Sequence, residues 1–167
     1  MAGQGTIADE ILDQLSEPAA VVVPVGGGGL LAGVAQVLAD RTGWRVVGVE
    51  TAASRGCSAA IEAGEIVTVP VTGTIADGLA GNLEPGSITP GLIAAAGASV
   101  LAASEVAIRN AVRELATEHG LVVEGSAAVG LAALREGLVT ADQPVVLVLT
   151  GRNIAPALLA EILTERY

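Results

Sequence analysis

The chain has 167 residues, 51% of them hydrophobic, and a formal net charge of −10. That length suits a single domain spanning residues 1–167, with enough chain to bury a real core. The charge excludes an electrostatic hold on nucleic acid or on an acidic membrane surface.

Only Trp44 and Tyr167 are aromatic, so the core has to be built from Val, Leu, Ile and Ala. All eight basic residues are arginines, and the chain contains no lysine. Cys57 is the single cysteine, which excludes an internal disulfide or a thiolate zinc cluster. It reads as a small buried hydrophobe. Asp9 and Glu10 stand where a signal peptide would need basic residues, so a cytoplasmic location is expected. Residues 18–39 carry no charge, but Pro24 and the central glycines argue for a strand and a helix rather than a membrane span.

In chain order, Thr6 is placed to cap a first helix, with Asp9 three residues on. Ala8, Ile11, Leu12 and Leu15 would line its apolar face. Residues 20–25 read as the first strand. Gly26-Gly27-Gly28-Gly29 follow, and Leu31, Val34, Ala35 and Leu38 recur at helical spacing behind them. A second strand over 45–50, reached through that helix, makes a βαβ unit with parallel strands. A helix is expected over 54–63. From 67 to 90 the pattern loosens around Gly73, Gly78, Gly81, Pro85, Gly86 and Pro90, a long connection of the kind that carries function.

Residues 92–96 read as a short helix and 99–102 as a third strand. Ser104 should cap the next helix, with Glu105 in its first turn. Ile108, Ala111, Val112, Leu115 and Ala116 form its stripe. His119 and Gly120 are an ordinary helix stop, and a single histidine excludes a multi-histidine metal site. A buried apolar helix over 127–134 closes at Gly137, and residues 144–149 form a fourth strand. Thr150-Gly151-Arg152-Asn153 is a second glycine turn between strand and helix. Ala155, Leu158, Leu159, Ile162 and Leu163 line the last helix. The fold class is α/β, a mainly parallel, doubly wound sheet with helices on both faces, three layers in all.

The glycine loop carries the chemistry. Glycine lets a ligand approach the main chain, and the helix behind it offers unpaired N–H groups and a positive dipole end. That combination binds anions, phosphate above all. A bulky residue at Gly28 is expected to fill the space that the phosphate needs. Gly27-Gly28-Gly29-Leu30-Leu31-Ala32 also fits G-x-G-x-x-A, with Glu50 at the distance of a ribose-binding acid, so an NAD-binding, Rossmann-like domain is one reading. A Walker A loop is excluded for want of a lysine. A non-enzymatic module that packs on a partner through an open sheet edge is another reading.

Several stretches together resemble the fold type II, or β-family, pyridoxal-phosphate enzymes. Residues 23–33 look like their tetraglycine loop. Gly3-Gln4-Gly5-Thr6 resembles A-G-Q-G-T, and Val47-Gly48-Val49-Glu50 resembles V-G-V-E. Thr74-Ile75-Ala76-Asp77-Gly78-Leu79-Ala80 is similar to T-I-A-D-G-[IL]-A. Glu124-Gly125-Ser126-Ala127-Ala128 stands where the family has E-P-[SA]-[GA]-A, and Thr150-Gly151-Arg152-Asn153-Ile154 resembles [ST]-G-G-N-I. More narrowly, the chain looks like the C-terminal half of a threonine/serine ammonia-lyase (threonine dehydratase) or serine racemase, part of the large domain of such an enzyme.

The resemblance implies pyridoxal 5'-phosphate as cofactor. Gly26, Gly27, Gly28, Gly29 and Leu30 would cradle its phosphate, Thr150 would bond the ring nitrogen, and Gly78 and Glu124 would line the ring. A small amino acid would be the substrate. Some relatives hold a divalent cation at positions matching Glu50, Ser54 and Gly56. The family's aspartate is glycine here, so no metal is expected. The family's Schiff-base lysine lies in the N-terminal half, so this lysine-free chain is expected not to catalyse alone. No lysine is present for covalent attachment, and the α-amine of Met1 is the remaining candidate. A homo-oligomer, or a partner carrying the missing half, is expected.

Overall fold

The computed structural model describes residues 2–165; Met1, Arg166 and Tyr167 lie outside the described residues. Four strands form one sheet, β1 (Ala20–Pro24), β2 (Arg45–Thr51), β3 (Ser99–Ala103) and β4 (Val145–Leu147). Every neighbouring pair is parallel, and the order across the sheet is β3-β2-β1-β4. The helices are α1 (Ala2–Gln14), α2 (Gly29–Leu38), α3 (Gly56–Ala63), α4 (Thr89–Ala95), α5 (Glu105–Glu118), α6 (Gly125–Arg135) and α7 (Pro156–Thr164). A short 3₁₀ turn occupies Asp77–Leu79.

β1 is buried along its whole length, and its alternation builds the two cores. Val21 and Val23 point to one face, where Leu31 and Val34 of α2, Ala8 of α1 and Ile93 of α4 pack. Val22 points to the other, against the α5, α6 and α7 layer of Ile108, Val112, Ala128 and Ile162. Helix α6 is buried from Gly125 to Ala133, because one side meets the sheet and another meets α5. Arg109 and Arg113 of α5 bind Glu165, tying the end of α7 to that layer. The three-layer α/β expectation is therefore met. No helix among the described residues is long and apolar enough to cross a membrane.

Element edges differ in informative ways. α1 already runs through Gly3 and Gly5, and Thr6 does not cap it. Its hydroxyl instead donates to the Gly3 carbonyl at 2.9 Å, a bond from inside the helix. Ser104 does cap α5, accepting from the Ala107 N–H at 3.2 Å. The expected helix over 54–63 begins only at Gly56, because Ser54 belongs to a turn bridged to Thr51. The fourth strand is short, ending at Leu147, although the Val148 N–H still reaches the Val22 carbonyl at 3.0 Å.

Glu50, at the end of β2, is 2% exposed. Its Oε1 accepts from the Cys57 N–H at 2.7 Å, and its Oε2 accepts from the Ser58 N–H at 3.2 Å. The carboxylate thus satisfies orphan donors at the start of α3. Cys57 is buried beside it, its thiol pushed up to about 12 by burial and then by the Glu50 charge, consistent with an inert packing role.

Burial outweighs those hydrogen bonds and the Arg55 charge, and holds the Glu50 carboxyl above its ordinary value of 4.5. A carboxyl raised in the folded state contributes stability that is complete below the unfolded value and lost as pH rises through the folded one. The stability of wild type relative to Glu50→Gln should therefore fall as pH is raised from about 4 to 7. Urea unfolding midpoints of the two proteins across that range check the sign; a difference growing in favour of wild type would contradict it.

Candidate functional site

Open parallel sheets bind ligands outside the carboxyl ends of their strands, where neighbouring strands send their helices to opposite faces. In this sheet that point lies between β1 and β4. α2 follows β1 and packs on one face, while α7 follows β4 and packs on the other. The ladder pairs Val22 with Leu147, so Gly26 and Gly151 lie equally far beyond it on adjacent strands. The two glycine turns singled out in the sequence are thus brought together by the topology.

Gly28 is the N-cap of α2, at φ 78°, and no side chain caps that helix. The first-turn N–H groups of α2 are left for solvent or a ligand. A Cβ at Gly28 would sit 3.0 Å from both Ile93 Cδ1 and Thr89 Oγ1. Thr89 in turn donates to the Gly27 carbonyl at 2.7 Å, with the Ser87 hydroxyl 2.9 Å away. Gly28 therefore faces α4 and the protein interior. A side chain at Gly28 would thus meet Thr89 and Ile93 first, whereas a Cβ at Gly27 or Gly29 would meet nothing within 4 Å. Leu30 is half-buried in the first turn of α2 and packs with the Val21 core.

Opposite Gly26 lies the Gly78 turn. A Cβ at Gly26 would be 3.3 Å from the Gly78 carbonyl oxygen and 3.4 Å from Leu79 Cα. Gly26, Gly27, Gly78 and residues 79–83 line a cleft of about 100 Å³. Sites for whole ligands run to roughly 300–1,000 Å³, so this space suits one end of a ligand. The turn is held from both sides. Glu105 accepts from the Thr74 hydroxyl and, at 2.9 Å, from the Ile75 N–H. Ser54 donates to the Gly81 carbonyl at 2.8 Å.

Glu124 is the N-cap of α6 and is joined to the second glycine turn. Its Oε2 accepts from the Asn153 N–H at 2.9 Å, and its own N–H donates to the Gly151 carbonyl at 3.2 Å. Thr150 is exposed at the edge of an open groove of about 550 Å³ shared with Leu121 and Val122. Two residues beyond Glu124, the Ser126 hydroxyl lies 2.9 Å from where a Cβ on Gly78 would sit. One run of contacts therefore links the glycine loop, Gly78, the start of α6 and the Thr150 turn.

Other candidates lie elsewhere. His119 is 52% exposed, 3.8 Å from Glu114 at the end of α5, as a helix stop should be. Glu50 is committed to the start of α3, which removes the acid that the dinucleotide reading requires. Among the described residues no group of three or more His, Cys, Asp or Glu side chains could hold a metal ion. Sequence reasoning missed Thr89, Glu105 and Ser126 as contributors. Thr89 looked like part of a loop before Pro90, and Glu105 looked like a dipole charge; their partners are distant in sequence.

A family model described as pyridoxal-phosphate dependent enzyme matches residues 1–151. The chain is 43% identical over 156 residues to an L-threonine ammonia-lyase of Geobacter sulfurreducens, covering 92% of this chain and 39% of that protein. It is 40% identical over 167 residues to a biosynthetic L-threonine dehydratase of Mycobacterium tuberculosis, covering 98% of this chain and 39% of that protein. The crystal structure of a T.th. threonine deaminase superposes with TM-score 0.83 and 37% identity, over 92% of this chain and 58% of that one. A fungal L-serine ammonia-lyase from Rhizomucor miehei gives TM-score 0.83 and 35% identity, over 96% of this chain and 54% of that one. The chain thus spans 39% of the length of these two curated relatives. The matches lend no support to the dinucleotide or interaction-module readings. By the match over residues 1–151, the chain belongs to the pyridoxal-phosphate-dependent enzyme family.

Proposed function

We propose that these 167 residues form the phosphate- and ring-binding half of a pyridoxal-phosphate-dependent lyase acting on small hydroxy amino acids such as threonine and serine. The observation that carries this is the run of contacts from Gly26 through Gly78 and Ser126 to Glu124 and the Thr150 turn. The residues present fit the group. Gly27 and Gly29 offer open backbone at an uncapped helix start, and the adjoining cleft suits a phosphate. The phosphate end would sit against residues 26–30, held by N–H groups and the α2 dipole. That local field matters in a chain of net charge −10. Thr150 would hydrogen-bond the ring nitrogen, and Gly78 and Glu124 would flank the ring.

When bound, the cofactor supplies an electron sink for reactions at the amino acid's α-carbon. A neutral hydroxyl at Thr150 cannot hold the ring nitrogen protonated as a carboxylate would, which favours loss of a β-hydroxyl over transamination. What these residues do not offer is a side-chain amine. The chain has no lysine, and an arginine guanidinium stays protonated and is a poor nucleophile.

Three outcomes are expected of the purified 167-residue polypeptide. Pyridoxal phosphate should bind without covalent attachment to an internal residue, read by its absorbance and by borohydride trapping with peptide mass mapping. Gly27→Val and Gly29→Val should weaken that binding at least about tenfold while preserving the melting temperature. Gly28→Val should lower the melting temperature as well, because its side chain meets Thr89 and Ile93. Ketoacid formation from threonine or serine should stay at the protein-free background. It should appear once a polypeptide carrying a family N-terminal half with its lysine is added. Tight NAD binding with no response to pyridoxal phosphate, or turnover by the polypeptide alone, would overturn the proposal.

The polypeptide should also self-associate or bind such a half. Ile88 is 63% exposed, and Val106, Leu121 and Val122 are exposed as well. β3 and β4 leave their outer edges unpaired within this sheet. Light scattering should return a dimer or larger species, and a monodisperse monomer at high concentration would count against this.

A further inference from the structure

We propose that Ser126 is a positioning residue whose hydroxyl props the Gly78 turn and thereby sets the width of the cleft against the glycine loop. The ligand for that cleft rests on the function proposed above; the prop itself does not. Ser126 is 3% exposed, and its Oγ is buried with no hydrogen-bond partner among the described residues. Buried hydroxyls are nearly always paired, because leaving one unpaired forfeits its hydration. Its neighbours in the first turns of α6 are Ala127 and Ala128, and alanine is the better helix former. Stability alone therefore favours alanine at this position, and the hydroxyl calls for another reason.

The geometry supplies one. A Cβ placed on Gly78 would lie 2.9 Å from Ser126 Oγ but 3.6 Å from Ser126 Cβ, so the oxygen alone stands in its way. The Gly78 carbonyl in turn lies 3.3 Å from the Cβ position of Gly26. The Gly78 backbone is therefore close to the Ser126 hydroxyl and to the Gly26 backbone alike. The turn is anchored at its ends, by Glu105 at Ile75 and by Ser54 at Gly81. Its middle is held by bonds local to the turn: the Gly78 N–H to Asp77 Oδ1 at 2.9 Å, the Leu79 N–H to the Ala76 carbonyl at 3.0 Å and the Ala80 N–H to the Asp77 carbonyl at 3.1 Å. The middle lines the cleft, and the Ser126 oxygen is the nearest atom that a Cβ on Gly78 would meet.

The test uses Ser126→Ala, Gly78→Ala and the double variant of the 167-residue chain. Ser126→Ala should melt at the wild-type temperature or roughly 2–4 °C above it, since an unpaired buried hydroxyl is removed. Without ligand, hydrogen exchange in the peptide spanning residues 75–82 should quicken. Gly78→Ala should melt lower, and adding Ser126→Ala should restore much of the loss, because 3.6 Å is an ordinary contact. With pyridoxal phosphate as probe, Ser126→Ala should bind about three- to tenfold more weakly. Additive melting shifts, a lower melting temperature for Ser126→Ala, or unchanged exchange at residues 75–82 would each overturn the proposal. So would binding within about twofold of a wild type that does bind. If wild type gives no response to pyridoxal phosphate, the cofactor reading fails; exchange and the melting cycle then decide Ser126 alone.

Discussion

The structure depends on the reversal of winding at β1. From β1 the chain steps outward through β2 to β3, then returns to lay β4 on the other side. Each strand is followed by a helix, and right-handed crossovers force successive helices to one face until the direction of travel changes. The change puts α2 and α7 on opposite faces although their strands are neighbours. Their connecting turns must part, and a crevice opens between them. β1 can serve as this pivot because Val21, Val22 and Val23 are all fully buried and feed the two cores alternately.

What fills the rim of the crevice is mostly backbone. Glycine turns 26–29 and 150–153 expose main-chain groups, and side chains from elsewhere hold those turns in place. Glutamates brace one of these turns and other segments by accepting from backbone N–H groups. Glu50 binds the start of α3, Glu105 binds Ile75, and Glu124 binds Asn153. An excess of acidic residues thus coexists with the open backbone of the glycine loop. Several carboxylates are committed to local donors, and none lies in the first turn of α2.

The same arrangement limits the chemistry. On the function proposed above, a glycine cradle, a threonine hydroxyl and a bound glutamate would bind, orient and screen a phosphorylated ring. A covalent partner for an aldehyde is a different requirement, and among the side chains the 167 residues supply arginines where it would demand an amine.

Much of this was legible in the residues. Alternation and helical spacing depend on near neighbours in sequence, so the strands, most helices and both glycine turns could be located from pattern alone. The motif runs at 3–6, 23–33, 47–50, 74–80, 124–128 and 150–154 point together to the family. Tertiary structure decided what each residue faces. It turned Gly28 toward Thr89 and Ile93, aimed Glu50 at α3 in place of a ribose, drew Thr6 inside a longer α1, and set Ser126 close to Gly78. Each of those outcomes except Thr6 is fixed by a contact between separate elements of the chain. Local periodicity carries no record of such a contact, because it is the packing of the two layers on the sheet that brings the partners together.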